Sequence, residues 1–298
     1  MTSMADLEQS EPVPPLPSGS CDCHVHVFGE RGRFPMSPAR SYTPPPATSE
    51  QLAAHQRALG LDRVVVVQPS IYGTDNSCML DAVAQFGPNA RGIAVVDRDI
   101  TAEDIWLLDT SGIRGIRLNL AAGAIGDLGR IRSDLKFAGD LVSERGWHIQ
   151  IFAELSLIGI LARDLDDLPC DVVIDHFGRA DPSSGARQEG FEVLTDLLAR
   201  SRVYVKLSAP YLISKDPDQS DVASLVDALV ETNPDRLLWA SNWPHPGGGT
   251  GSRSGLDAIT PPRSIDDGAA LTRLANWVPD VGIRERILVT NPRRLYGF

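Results

Sequence analysis

The sequence has few cysteines, no excess of positive charge and no long apolar run, and each shortage excludes something. Four cysteines stand in 298 residues, Cys21, Cys23, Cys78 and Cys170. Cys21 and Cys23 are one residue apart on a strand-like segment, a poor geometry for a bridge. A disulfide scaffold is therefore not expected, and a reduced, cytoplasmic protein is. Lys plus Arg total 28 against 39 Asp plus Glu, a formal net charge of −11, so a nucleic-acid partner is not expected. No uninterrupted apolar run reaches ~18 residues, so no membrane span or membrane partner is expected. The first twenty residues are acidic and proline-rich, without the basic and apolar regions of a secretory signal. Residues 1–18 read as a flexible arm and 19–298 as one domain. No internal repeat stands out, and oligomeric state is not legible.

Past the arm, eight short apolar runs recur: 21–28, 63–69, 91–96, 113–120, 148–154, 171–178, 203–210 and 236–244. Each has the length of a strand, is bounded by turn formers and lacks strict polar alternation, as strands buried on both faces do. Segments between them carry helical spacing, such as "SEQLAAHQRALG" with Ser49 as a possible N-cap, "SDLKFAGDLVSERG" and "DVASLVDALVETN". Strand and helix alternate eight times in about this length in a (β/α)8 TIM barrel. A doubly wound open sheet is the rival. In the barrel, the polar residues that matter sit at the C-terminal ends of strands.

The first run, "CDCHVHVF", has Asp22, His24 and His26 on one face and Cys21, Cys23 and Val25 on the other. The cysteines read as small buried hydrophobes; the two histidines can converge on one ligand. Other run ends carry Gln68, Arg117 with Asn119, His176 followed by Arg179, Lys206 with Ser208, and Asn242 followed by His245. Three cations at strand ends of an acidic protein, Arg117, Arg179 and Lys206, suit a substrate bearing carboxylates. "PGGGTGSRSG" (246–255) reads as a loop rather than a phosphate cradle, because no clear helix start follows it. Trp106, Trp147 and Trp277 fall in or beside helical patterns and read as packing.

The HxH of the first run, "VVIDHFGR" and "WASNWPHP" together resemble the amidohydrolase superfamily. "RFPMSPARSYTPPPATSEQL" and "NPRRLYGF" narrow the resemblance to its branch of lactone-handling enzymes, which includes 2-pyrone-4,6-dicarboxylate lactonase and galactarolactone isomerase. The resemblance implies a distorted (β/α)8 barrel, in this branch often without metal. It places His24, His26 and His176 at active-site positions, and Arg117, Arg179 and Tyr42 near the substrate's acid groups. The sequence departs from the branch in two places. Asn242 stands where an aspartate general base is usual, and "APYLIS" stands where the pyrone lactonase has an arginine.

A carboxylate can deprotonate water and an amide cannot. The expectation is therefore an isomerase of sugar-acid catabolism, in which a hydroxyl of a sugar-diacid δ-lactone attacks the lactone carbonyl to give the γ-lactone. His24, His26, His176 and Asn242 would be catalytic. Arg117, Arg179, Tyr42, Gln68, Asn119, Lys206, Ser208 and His245 would bind substrate. The alternatives are a metal-independent lactonase hydrolysing a dicarboxylate lactone, and a non-catalytic barrel that binds an acidic sugar. The fifth run, "HIQIFAE", offers no lysine or second histidine for a bridged pair of metals, and the eighth lacks the aspartate ligand, so no metal is expected, one zinc being the alternative.

Overall fold

The computed structural model describes residues 9–120, 127–200, 202–247 and 258–298. In chain order the regular elements begin with β1 (Cys21–Val25), α1 (Ser49–Leu59), β2 (Arg63–Val67), α2 (Ser77–Phe86), β3 (Ala90–Ala94) and α3 (Ala102–Thr110). Then come β4 (Ile113–Leu120), α4 (Leu128–Ser143), β5 (His148–Ala153), α5 (Leu155–Ile160), α6 (Ala162–Asp166), β6 (Val172–Ile174) and α7 (Phe191–Ala199). The series closes with β7 (Val203–Ser208), α8 (Ala223–Thr232), β8 (Leu237–Ala240), α9 (Asp267–Trp277), α10 (Val281–Glu285) and α11 (Asn291–Tyr296). All eight strands belong to one sheet whose order follows the chain, β1 to β8. This is the connectivity of a (β/α)8 barrel.

Two compact units can be distinguished, residues 1–113 with 241–275 and residues 114–240 with 276–298. In the first, β1, β2 and β3 pair in parallel, with Val64 opposite Ala90 and Val67 opposite Ile93. Gly92 has no room for a side chain: a Cβ there would lie 2.4 Å from Ile113 Cδ1 and 2.6 Å from Met79 Sδ. In the second, β4 to β8 pair in parallel, placing Arg117 opposite Gln150, Asn119 opposite Phe152 and Lys206 opposite Leu238. The strands are almost wholly buried, which is why their sequences are apolar runs.

Helix α1 is capped by Thr48 rather than Ser49. The Thr48 side chain accepts from Gln51 N, and the Gln51 side chain accepts in return from Thr48 N. The strands stop earlier than the apolar runs do. β6 ends at Ile174 and β8 at Ala240, and two residues past each strand end, at His176 and Asn242, the backbone turns left-handed. Trp147 is buried, but Trp106 is 63% exposed and does not pack as expected. From residue 248 on, the glycine-rich stretch lies outside the described residues, as do residues 1–8.

The second half of the expected flexible arm is docked instead. Ser10 donates its N–H and its hydroxyl to the Asp266 carboxylate at 3.1 and 2.5 Å, Gln9 Oε1 accepts from Asp267 N at 2.7 Å, and Val13 N donates to Thr272 Oγ1 at 3.1 Å. The backbone donors at the start of α9 have no partner inside the helix, and the segment before β1 supplies some of them. Among the described residues, no helix is long and apolar enough to cross a membrane.

Candidate active site

In the first unit the site is built on β1. Asp22 is fully buried; its carboxylate accepts from Ser241 N at 3.0 Å, from Ser241 Oγ at 2.5 Å and from His24 N at 3.2 Å. Burial pushes Asp22 up to about 6, with the Ser241 bonds opposing and the Asp267 charge adding to the rise. The backbone after β8 is zipped onto the end of β1: Asn242 N donates to His24 O at 3.0 Å and His26 N to Trp243 O at 2.7 Å. Asn242 and His245 are held there at φ 66° and 58°, a region that asparagine, aspartate and histidine enter more readily than most residues.

His24 Nε2 and His26 Nε2 lie 3.2 Å apart, with the rings edge to face. His26 Nδ1 is 2.8 Å from Val67 O. A carbonyl only accepts, so His26 carries its proton on Nδ1 and its neutral form is basic at Nε2. In the neutral pair His24 then donates from Nε2 and is basic at Nδ1. The same spacing also suits two cis positions on one divalent ion: nitrogens about 2.0–2.1 Å from zinc stand roughly 2.9–3.4 Å apart at angles between square and tetrahedral. Gln68 is buried, and its amide nitrogen donates to Gly73 O at 3.2 Å and Asp75 O at 2.7 Å. It ties down the turn after β2. Tyr42 is half-buried on the segment before α1. His245 Nε2 lies 2.9 Å from Asp267 Oδ2, and His55 Nε2 lies 3.3 Å from the same oxygen.

In the second unit the ends of β4 to β7 supply the polar groups. Lys206 does not present a cation to substrate, as the sequence suggests. It is fully buried, with Nζ 2.7 Å from Gln150 Oε1 and 3.3 Å from Asp175 Oδ1, while Gln150 Nε2 donates to Asp175 Oδ2 at 3.0 Å. The ammonium is compensated inside the sheet, as burial of a charge requires. Ser208 is also internal: its Oγ is 2.7 Å from His176 Nδ1, so it orients an imidazole. Asn119 is exposed and Arg117 is buried.

His176 is buried at the end of β6, and its pKa is lowered to about 4. Burial is the main cause; Asp175 opposes it, while Lys206, Arg117 and Arg179 lower it further. It is a neutral imidazole at pH 7. Residues 176 to 179 run four in succession at φ 51°, 58°, 60° and 59°. Left-handed backbone costs non-glycine residues about 1–2 kcal/mol each, and such strain gathers at functional sites. Arg179 Nε lies 3.3 Å from Glu154 Oε1, Nη1 donates to Leu212 O at 2.9 Å, and the guanidinium stands 5.9 Å from the Phe152 ring centre. A polar contact with Leu212 thus reaches into "APYLIS".

The sequence places Asp22 on the histidine face without assigning it a role, and Asp175 is not singled out, although each is an acid inside an apolar run, two residues and one residue before a histidine. Buried carboxylates in such runs need a partner, and that was the available signal. Gln150, Glu154, His55 and Asp267 gave none, because their partners lie far away in the chain.

A family model described as amidohydrolase matches residues 21–298. A 4-sulfomuconolactone hydrolase of Rhizobium radiobacter is 36% identical over 95% of this chain and 91% of its own. A D-galactarolactone isomerase of Agrobacterium fabrum is 28% identical over 97% of this chain and 95% of its own. Among solved structures, a probable 2-pyrone-4,6-dicarboxylic acid hydrolase of Acinetobacter baumannii with citric acid bound superposes with a TM-score of 0.74 and 27% identity, covering 94% of this chain and all of its own.

Proposed function

This chain belongs to the amidohydrolase family, in the branch that holds these lactone enzymes, and from that premise we propose that it hydrolyses a small lactone bearing at least one further acid group. The hydrolytic alternative is preferred over isomerisation because the hydrolase relative is 36% identical and the isomerase 28%. The observation that carries the reading is the neutral, buried His176 with Arg117 and Arg179 acting on its charge state. Two guanidiniums suit the acid groups of the substrate, and a neutral imidazole suits a developing oxyanion without adding to their charge.

In this reading Arg117 and Arg179 hold the acid groups, and His176, held through Nδ1 by Ser208, polarises the lactone carbonyl from Nε2. Water adds to that carbonyl while a strand-end imidazole of His24 or His26 takes its proton. The ring C–O bond then breaks, and the proton passes to the leaving oxygen, giving a hydroxy acid. Asn242 orients the water through its amide. Tyr42, His245 and Asn119 complete the contacts to substrate.

We propose that no metal is needed, since His24 Nε2 and His26 Nε2 stand at hydrogen-bond distance from each other and Asn242, two residues after β8, is an amide and not a carboxylate. The alternative is one zinc held by His24, Asp175 and His176, whose donor atoms lie within 4.8 Å of one another; it would supply Lewis-acid polarisation of the carbonyl. Activity should survive exhaustive chelation of protein purified without added metal. Stoichiometric zinc that tracks activity would overturn metal independence.

The reaction is tested with unsaturated acid lactones and a sugar-diacid δ-lactone in ¹⁸O water, following the carbons by NMR. A labelled hydroxy acid supports hydrolysis. An unlabelled γ-lactone supports the isomerase, for which Asn242 argues. Binding without turnover supports the non-catalytic barrel.

A further inference from the structure

We propose that Asp267 is a positioning residue for His245, and that residues 9–13 are a strap that keeps Asp267 in place. The proposal gives His245 a fixed orientation within the hydrolytic reading above, on which its kinetic part rests.

Asp267 opens α9 and is 1% exposed. One of its oxygens, Oδ2, stands 2.9 Å from His245 Nε2 and 3.3 Å from His55 Nε2. A carboxylate only accepts, so His245 presents Nε2–H to it, while His55 stands beside the same oxygen as a second imidazole. His245 is thereby fixed in one tautomer, with Nδ1 as its other functional atom. Burial alone would raise Asp267; the two imidazoles outweigh it and hold the carboxylate below its usual range. His245 itself follows Asn242 in a tight turn, with His245 N donating to Asn242 O at 2.8 Å. The ring's orientation is set by the carboxylate and its backbone by the turn.

The strap acts on the other side of Asp267. Gln9 Oε1 accepts from Asp267 N at 2.7 Å, and Ser10 binds the neighbouring Asp266 twice. At Gly268 a Cβ would stand 1.6 Å from Ser10 O. The glycine is what lets the strap lie against the helix, and its φ is not left-handed, so alanine there suits the helix itself. The carboxylate that orients His245 is therefore fixed by a segment that precedes β1 in the chain.

The test uses the full chain with Gly268→Ala, which displaces the strap and leaves Asp267, His55 and His245 in the sequence. The double variant Gln9→Ala/Ser10→Ala serves if Gly268→Ala does not fold. Asp267→Asn is the direct comparison. Long-range ¹H–¹⁵N NMR of the His245 ring reads the tautomer, limited proteolysis at residues 9–13 reports strap release, and kinetics on whichever lactone is turned over gives kcat and KM separately. Wild type should show a single Nε2–H form. Strap release and Asp267→Asn should each mix the tautomers and lower kcat/KM by about 10–100-fold, the usual consequence of losing a residue that orients a functional imidazole. A released strap with unchanged His245 signals would overturn the strap's role, and Asp267→Asn with unchanged signals would overturn that of the carboxylate. The NMR readout needs no turnover, so a protein inactive on every lactone would defeat the hydrolytic reading while leaving this one decided.

Discussion

Replacing Lys206 by methionine isolates the buried ion pair of the second unit. Lys206 and Asp175 are both fully buried, with Nζ to Oδ1 at 3.3 Å, and Gln150 bonds to each of them. Methionine fills much the same volume, so the change removes charge more than packing. It leaves the Asp175 carboxylate buried without the ammonium that faces it. Breaking such a pair costs about 3–5 kcal/mol, mostly the penalty of the stranded charge. For chains of this size that is a fall in Tm of roughly 6–20 °C. Lys206→Met/Asp175→Asn removes both charges and should recover most of the loss, a result the single variants cannot mimic by packing. The same single change should lift His176, because Lys206 is one of the groups that hold it at about 4 while Asp175 pushes the other way. Urea unfolding of the three variants and an NMR titration of His176 give the measurements. A Lys206→Met protein within 1 kcal/mol of wild type, or a double variant as unstable as the sum of the singles, would refute the argument.

Further outcomes follow from the same geometry. Arg117→Ala should weaken substrate binding or catalysis by about 2–5 kcal/mol, the cost of leaving a partner charge unpaired; steady-state kinetics on the acid lactone checks it, and unchanged constants would remove Arg117 from the site. Stability should fall on acidification below pH 6.5. The folded protein holds His176 at about 4 and His148 at about 3, while unfolded histidines bind protons near 6.5. Asp22, raised to about 6, binds a proton in the folded state and opposes the two histidines between pH 6 and 4. The net is one proton more on the unfolded chain, about 1.4 kcal/mol lost per pH unit in that window, measurable as urea midpoints at pH 6 and 5. Asn242→Asp should keep the fold, because aspartate tolerates the φ of 66° found there. It should raise hydrolysis relative to isomerisation and weaken binding of an anionic lactone; an unaltered product ratio would show that the asparagine does not steer the reaction.

The parts of this molecule that are legible in the sequence are those whose signal is local. Eight apolar runs give eight strands in chain order, since a parallel strand buried on both faces must be apolar along its length. The HxH spacing places Asp22, His24 and His26 on one face by alternation alone. Lys206 misleads for a physical reason: a strand-end lysine looks the same in the sequence whether it faces substrate or a buried Asp175 thirty-one residues earlier in the chain. Ser208 and Gln68 mislead in the same way, one bonded to His176 and the other to the turn after β2. The left-handed run at residues 176–179 has a single glycine to announce it, and three side-chain-bearing residues adopt the conformation beside it. Local propensity opposes that turn, so it persists only because its surroundings hold it. Ser208 bonds the His176 ring, Glu154 and Leu212 O bond Arg179, and buried Phe177 anchors the segment between them. The turn carries an imidazole and a guanidinium three residues apart off one short strand, and a regular continuation of β6 would have sent residues at that spacing to opposite faces of the sheet. The strain is therefore tied to the geometry that acid-lactone chemistry would require at this strand end.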